Sequence, residues 1–349
     1  MNLECAEFWR ANLARKAAAC APAIRIMEVC GTHTHAIARY NLRSLLPGNV
    51  TLISGPGCPV CVSGAAFIEK IRTLLQQGVT VALFGDLMRI PGTCGTLRRE
   101  KNLKLIYSPA DALAFAAKNP DTEVVFAAVG FSPTLSATAA LMAELEENPV
   151  SNFSILSDFK EITPVLAPLC AESSISALLL PGHVATITGV EHFSALHLPA
   201  VVAGFEPENI LHSLSMLLDA LSSGNREFLY NNYPQAVRQQ GNSGALRLIE
   251  RYFETTDSSW RGLGEVPGSG KRLKKEYSSF DAEKRYHLET AAVSENPLCR
   301  CGEVLAGKIT PLACPLFGKE CTPATPVGAC MASSEGSCSA AFIYGNQGK

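Results

Sequence analysis

From about residue 23 to residue 222, short apolar runs alternate with stretches whose apolar positions recur every three to four residues. The runs predict strands over 24–29, 50–54, 79–84, 103–107, 124–129, 153–156, 177–180 and 200–203. The spaced stretches predict helices over 67–77, 110–117, 136–147 and 207–221. Strands separated by helices call for parallel sheets flanked by helices, so the expected fold is α/β. Surface-to-volume scaling and the polar break Lys118-Asn119-Pro120-Asp121 favour two smaller α/β units, 1–118 and 119–230, over one large sheet. No internal sequence repeat relates the two. After residue 230 the chain turns rich in glycine, proline and charge, as in 260–270, with little apolar periodicity. Residues 231–349 therefore read as a third region that needs outside support to order, which a metal centre can supply in place of a small core.

At 349 residues and 47% hydrophobic content the chain can bury substantial cores. A formal net charge of −2 without long basic runs argues against a nucleic-acid partner, and the short run over 271–275 reads as a solvated face. The first ten residues carry Glu4, Glu7 and Trp9 and lack the basic and apolar parts of a signal peptide. With no run of about 18 apolar residues to span a bilayer, the expected compartment is the cytoplasm. In that setting thirteen cysteines point to metal or redox chemistry rather than to a disulfide framework. Six of them crowd into 299–338, whereas Cys5, Cys20, Cys94 and Cys170 are scattered and read as small hydrophobes.

Three constellations carry the candidate chemistry. Cys30, His33 and His35 lie in Glu28-Val29-Cys30-Gly31-Thr32-His33-Thr34-His35, just beyond an expected strand end, where open α/β sheets bind ligands. A thiolate and an imidazole there can grip a soft metal, although Thr32 or Thr34 can equally cap a helix. Cys58 and Cys61 form a Cys-x-x-Cys in Gly55-Pro56-Gly57-Cys58-Pro59-Val60-Cys61, between a strand and a helix, where backbone amides favour a thiolate. That makes the pair redox-competent or metal-binding; a phosphate loop would need a Gly-Lys-Ser/Thr that does not follow. Cys299, Cys301, Cys314, Cys321, Cys330 and Cys338 suit an iron–sulfur cluster or a structural zinc, with two thiols beyond the four ligands either requires. A surplus pair beside a cluster can exchange electrons with it. Asp86, Arg89, His183 and Glu206 follow expected strands and are candidates to line a cleft between the two units, or to cap turns.

Taken together, 27–38 (MEVCGTHTHAIA), 54–62 (SGPGCPVCV), 85–92, 107–113, 181–189 (PGHVATITG), 202–207, 260–267 and 299–338 resemble the HypD family of hydrogenase maturation factors over nearly the whole chain. The resemblance implies a scaffold on which one iron acquires two cyanides and one carbon monoxide, working with a HypC-type small chaperone and a HypE-type cyanide donor. It implies two α/β domains plus a C-terminal domain holding a 4Fe-4S cluster, with Cys299, Cys314, Cys321 and Cys338 as ligands. Cys301 and Cys330 then correspond to a disulfide-forming pair, Cys58 and Cys61 to a second thiol pair, and Cys30 to the cysteine that helps hold the iron. His33 and His35 would orient that thiolate or move protons.

The chain departs from the family pattern twice. Gly130-Phe131-Ser132-Pro133-Thr134 stands where Gly-Phe-Glu-Thr-Thr is usual, and Ser157-Asp158-Phe159-Lys160 where Ser-Ala-His-Lys is usual. A carboxylate and a histidine are thereby missing. Two other functions fit the cysteines: an iron–sulfur thiol-disulfide oxidoreductase, and a zinc-stabilised interaction protein.

Overall fold

The computed structural model describes residues 3–289, 293 and 296–345. Its strands are β1 (Ile24–Glu28), β2 (Val50–Ser54), β3 (Thr80–Leu83), β4 (Leu103–Leu105), β5 (Val124–Gly130), β6 (Phe153–Lys160), β7 (Ala177–Pro181), β8 (Ala200–Ala203), β9 (Leu229–Asn231), β10 (Phe253–Trp260) and β11 (Gly264–Leu273). All eight strands expected from the apolar runs are present. The expected helices form as Ala65–Gln76, Pro109–Lys118, Ser132–Glu147 and Pro207–Ser222. The fold is α/β.

Two sheets share the strands. The first has the order β2-β1-β7-β8-β9 and is parallel throughout; the second has the order β10-β11-β6-β5-β3-β4. In the second, β4, β3, β5 and β6 are parallel, and the β10–β11 hairpin joins β6 antiparallel through Gly270 and Lys271. Strands covered on both faces must be apolar throughout, and every residue of β5 (Val-Val-Phe-Ala-Ala-Val-Gly) is buried.

The boundary expected near residue 118 does not divide the sheets. β3 lies between β4 and β5, so residues 118–121 connect two strands of one sheet. The polar break is a turn: the Asn152 amide donates to the carbonyls of Ala116, Asn119 and Thr122 at 2.7–3.1 Å and so satisfies backbone groups that no helix or strand pairs. The chain builds β1 and β2, leaves to build β3–β6, and returns for β7–β9.

The region after residue 230 also departs from expectation. Residues 253–273 form the β10–β11 hairpin and belong to the second sheet rather than to a separate C-terminal region. β10 alternates half-buried and exposed residues between buried Phe253 and Trp260, a period-2 pattern obscured by small polar residues on both faces.

The two family departures resolve into packing. Phe159 is buried with its ring edge-on to Phe253 of the hairpin (5.5 Å between centroids), and Asp158 pairs with Lys160 at 2.6 Å. Lys160 is 2% exposed, and its ammonium also donates to Ser258 Oγ and to the Ser259 carbonyl, both at 2.7 Å. Ser132 begins the helix Ser132–Glu147, with Pro133 in its first turn, where a missing amide proton costs no helical bond.

Candidate functional site

In each sheet the strand order reverses once. β1 runs on to β2 on one side and has β7 on the other; β3 runs on to β4 and has β5 on the other. Ligands bind beyond the carboxyl ends of strands at such reversals. Cys30 follows β1 and Asp86 follows β3, so both occupy those positions.

Cys30 is the extended residue that precedes the helix Gly31–Arg39. That helix begins at Gly31 itself, just beyond the strand end. Glycine is required at two points near Cys30: a side chain at Gly57 would overlap the Cys30 backbone, and one at Gly31 would overlap Glu335. The Gly31 amide donates to the Gly57 carbonyl at 3.1 Å and thereby holds the Cys58–Cys61 loop against Cys30. Burial pushes the Cys30 thiol up to about 12, against the amides of His33 and Thr32 and with help from the charges of Glu335 and Glu28. Beneath it, wholly buried Glu28 accepts from the Cys30 amide (3.2 Å) and the Thr34 hydroxyl, and burial raises its carboxyl to about 7.

The two histidines diverge. His33 is fully buried, its Nε2 lies 2.8 Å from the Gly204 carbonyl and its ring packs on Phe205; burial lowers its pKa to about 4. Its Nδ1 has no hydrogen-bond partner among the described residues. His35 Nε2 lies 3.1 Å from the Tyr344 hydroxyl on the last helix, Ser337–Tyr344. The other four polar candidates also divide. His183 stacks on Phe205 at 3.9 Å and Glu206 precedes the helix Pro207–Ser222, both at the first sheet, whereas Asp86 and Arg89 contact the C-terminal segment.

That segment brings the cysteines together. Helix Ala329–Ala332 packs against both Pro59–Val62 and Gly85–Arg89, placing Cys330 between the two sheets. The thiols of Cys301, Cys338 and Cys61 hydrogen-bond to Cys330 and hold it below the ordinary thiol range. Cys61 is raised by burial and then by its bonds to Cys330 and Cys58, and Cys338 first by its bond to Cys330. Cys301 bonds to Cys299 as well as to Cys330, while Cys299 and Cys314 act on Cys321 by charge. Eight thiols are thus linked neighbour to neighbour from Cys58 to Cys314, and Cys30 lies beside the loop at one end. Among the described residues no three His, Cys, Asp or Glu side chains form a group placed to hold a single metal ion.

Sequence reasoning missed Ser333 and Glu335. Ser333 accepts from the Cys58 thiol at 3.3 Å, and Glu335 accepts from the Thr32 hydroxyl at 3.0 Å. The signal available was the polar insertion Ser333-Ser334-Glu335 between two cysteines.

An α/β framework that gathers most of its thiols at the seam between its sheets defines a thiol-centred protein rather than a fold with incidental cysteines. The comparisons make the class specific. Residues 5–345 match the HypD family model, described as hydrogenase formation hypA family. The hydrogenase maturation factor HypD of Rhizobium leguminosarum bv. viciae is 41% identical, over 91% of this chain and 88% of its own length. The factor of the same name from Escherichia coli is 40% identical over 93% and 90%, and the hydrogenase expression/formation protein HupD of Azotobacter chroococcum 39% over 96% and 93%. The chain belongs to the HypD family. Among the described residues no helix is long and apolar enough to cross a membrane.

Proposed function

We infer that the chain is a hydrogenase maturation factor and serves in the cytoplasm as the scaffold on which an Fe(CN)2CO unit is assembled for nickel–iron hydrogenases. The observation that carries this reading is the line of thiols from Cys58 and Cys61 through Cys330 to Cys301 and the remaining four, with Cys30 at its end. Cys30 holds the iron, which is cargo. Thiolate is a soft ligand suited to an iron that carries cyanide and carbonyl. A HypC-type small chaperone supplies a second thiolate, and a HypE-type donor the cyanide.

Cys299, Cys314, Cys321 and Cys338 are the residues that would hold a 4Fe-4S cluster. They fit the group: all four donors are sulfur, and they are mutual neighbours, Cys321 within reach of the charges of Cys299 and Cys314 and Cys338 within reach of those of Cys321 and Cys299. When bound, the cluster supplies electrons beside a dithiol. Cys330 has Cys301 on one side and Cys61 on the other and is thus placed to exchange with either.

Infrared spectroscopy of the anaerobic complex with the small chaperone tests this reading. Metal-bound cyanide and carbonyl bands are expected in the wild type and should vanish in Cys30→Ala, with the acid-labile sulfide and the iron that accompanies it in the cluster retained. Cys314→Ala should lose that iron and sulfide. Unchanged bands in Cys30→Ala would remove the iron from this site.

A further inference from the structure

One hydroxyl ties the buried thiol of Cys58 to a half-exposed carboxylate. Cys58 Sγ donates to Ser333 Oγ at 3.3 Å, and Ser333 Oγ donates to Asp86 Oδ2 at 3.2 Å. The Ser333 oxygen also accepts from the Glu335 amide at 3.2 Å. A serine hydroxyl has one proton to give and two lone pairs to receive. Here the proton goes to Asp86 and the lone pairs take Cys58 and Glu335, so the direction from thiol to carboxylate is set. Ser334 Oγ donates to the same Asp86 oxygen at 3.1 Å and holds it as an acceptor. The three groups come from the loop after β2, the turn after β3 and the insertion between Cys330 and Cys338.

We propose that Ser333 and Asp86 form a proton relay that converts Cys58 from thiol to thiolate. It rests on the reading of Cys58 and Cys61 as a working dithiol. In the step, the Cys58 S–H bond breaks and its proton bonds to Ser333 Oγ, while Ser333 passes its own hydroxyl proton to Asp86 Oδ2. One negative charge moves from carboxylate to sulfur, and no redox change occurs. The chain of hydrogen bonds then reverses: Asp86 donates to Ser333, and Ser333 donates to the new thiolate. The Cys61 amide, already donating to Cys58 Sγ at 3.2 Å, steadies the anion.

Thiols ionise about four to five pKa units above carboxylates, so the transfer is uphill and the thiolate persists only once a metal or a second sulfur captures it. The relay therefore acts on rate, as a positioned base does. Cys58 is 3% exposed and has little water to take its proton, whereas half-exposed Asp86 can return the proton to solvent. Ser333 touches the reacting sulfur; Asp86 acts through it. The other titratable groups that bear on this chain are Cys61, then Cys330 beyond it, and Glu335, which faces both Asp86 and His35.

Modification of the full-length, anaerobically reduced protein by excess methyl methanethiosulfonate, at concentrations where the Cys58 rate no longer rises with reagent and release of its proton limits capture, tests the relay when read by quenched flow and peptide mass spectrometry across the pH range between carboxylate and thiol ionisation. Exposed Cys94 serves as the internal reference. Asp86→Asn should slow Cys58 at neutral pH by about a hundredfold, the low side of what a positioned base contributes. Asp86→Glu should recover most of the rate. Ser333→Ala should slow Cys58 alike and Ser333→Thr restore it, with Cys94 unchanged throughout. An unchanged or faster Cys58 in Asp86→Asn overturns the relay, since loss of a nearby negative charge alone would speed ionisation. A wild-type Cys58 that stays unmodified at every pH overturns it too. Should Asp86→Asn loosen the turn, Ser333→Ala, which removes a single atom, decides the matter independently. The assay needs neither iron nor partner, so a failed relay with infrared bands intact, or the reverse, shows which of the two readings is wrong.

Discussion

Lys160 keeps an ammonium inside the second sheet because Asp158, two residues back on the same strand face, shares the burial with it. Removing one partner of such a pair strands the other charge. Asp158→Ala should therefore lower stability by about 3 kcal/mol, read as a shift in the urea unfolding midpoint. The double variant Asp158→Ala/Lys160→Met should recover much of the loss, and a loss of under about 0.5 kcal/mol in the single variant would show that Ser258 and Ser259 suffice. At this scale, sequence revealed what is local. Cys30, Cys58 and Cys61 stand in short motifs at strand ends, and the structure finds them there. The bonds from Thr32 to Glu335 and from Ser333 to Asp86 join residues 303 and 247 positions apart, a distance no motif spans. The environment of Phe159 is likewise set from far along the chain, by the hairpin residue Phe253.

Among the elements, the β10–β11 hairpin touches two of the cysteine-bearing helices. Its turn residue Gly262 has φ +78 and packs backbone to backbone on Gly302, the second residue of the helix Cys301–Leu305. On the other side the Arg261 amide donates to the Val62 carbonyl at 2.7 Å, so the hairpin braces the helices that carry Cys61 and Cys301. Gly264, with φ +81, has open space around it. Gly264→Ala should cost only the left-handed backbone penalty, about 1 kcal/mol, whereas Gly262→Ala should cost at least about twice that because its methyl meets Gly302. Thermal or urea unfolding of both variants checks the difference, and equal losses would mean that the close approach is unimportant. The hairpin was not legible in the sequence because its alternation runs through Ser, Thr, Gly and charged residues. The central strands among the eight earlier ones were legible because burial on both faces demands continuous apolar runs, whereas edge strand β4 is largely exposed.

For the whole molecule, the interleaving of the sheets has a direct consequence. A fragment ending at residue 118 contains β3 and β4 but not β5 or β6, and β1 and β2 but not β7. It should lack cooperative unfolding and show no dispersed amide NMR spectrum; a folded 1–118 fragment would contradict this view of the cores. The order of the first eight strands and of four helices among them, the α/β class and the cysteine motifs followed from the sequence by itself, because each depends on residues within a few positions of one another. Which strands share a sheet, where the hairpin adds, and how eight thiols from four separate stretches come to lie side by side were decided only by tertiary structure. Sheet order is set by which apolar faces can be buried together, and that choice compares parts of the chain hundreds of residues apart.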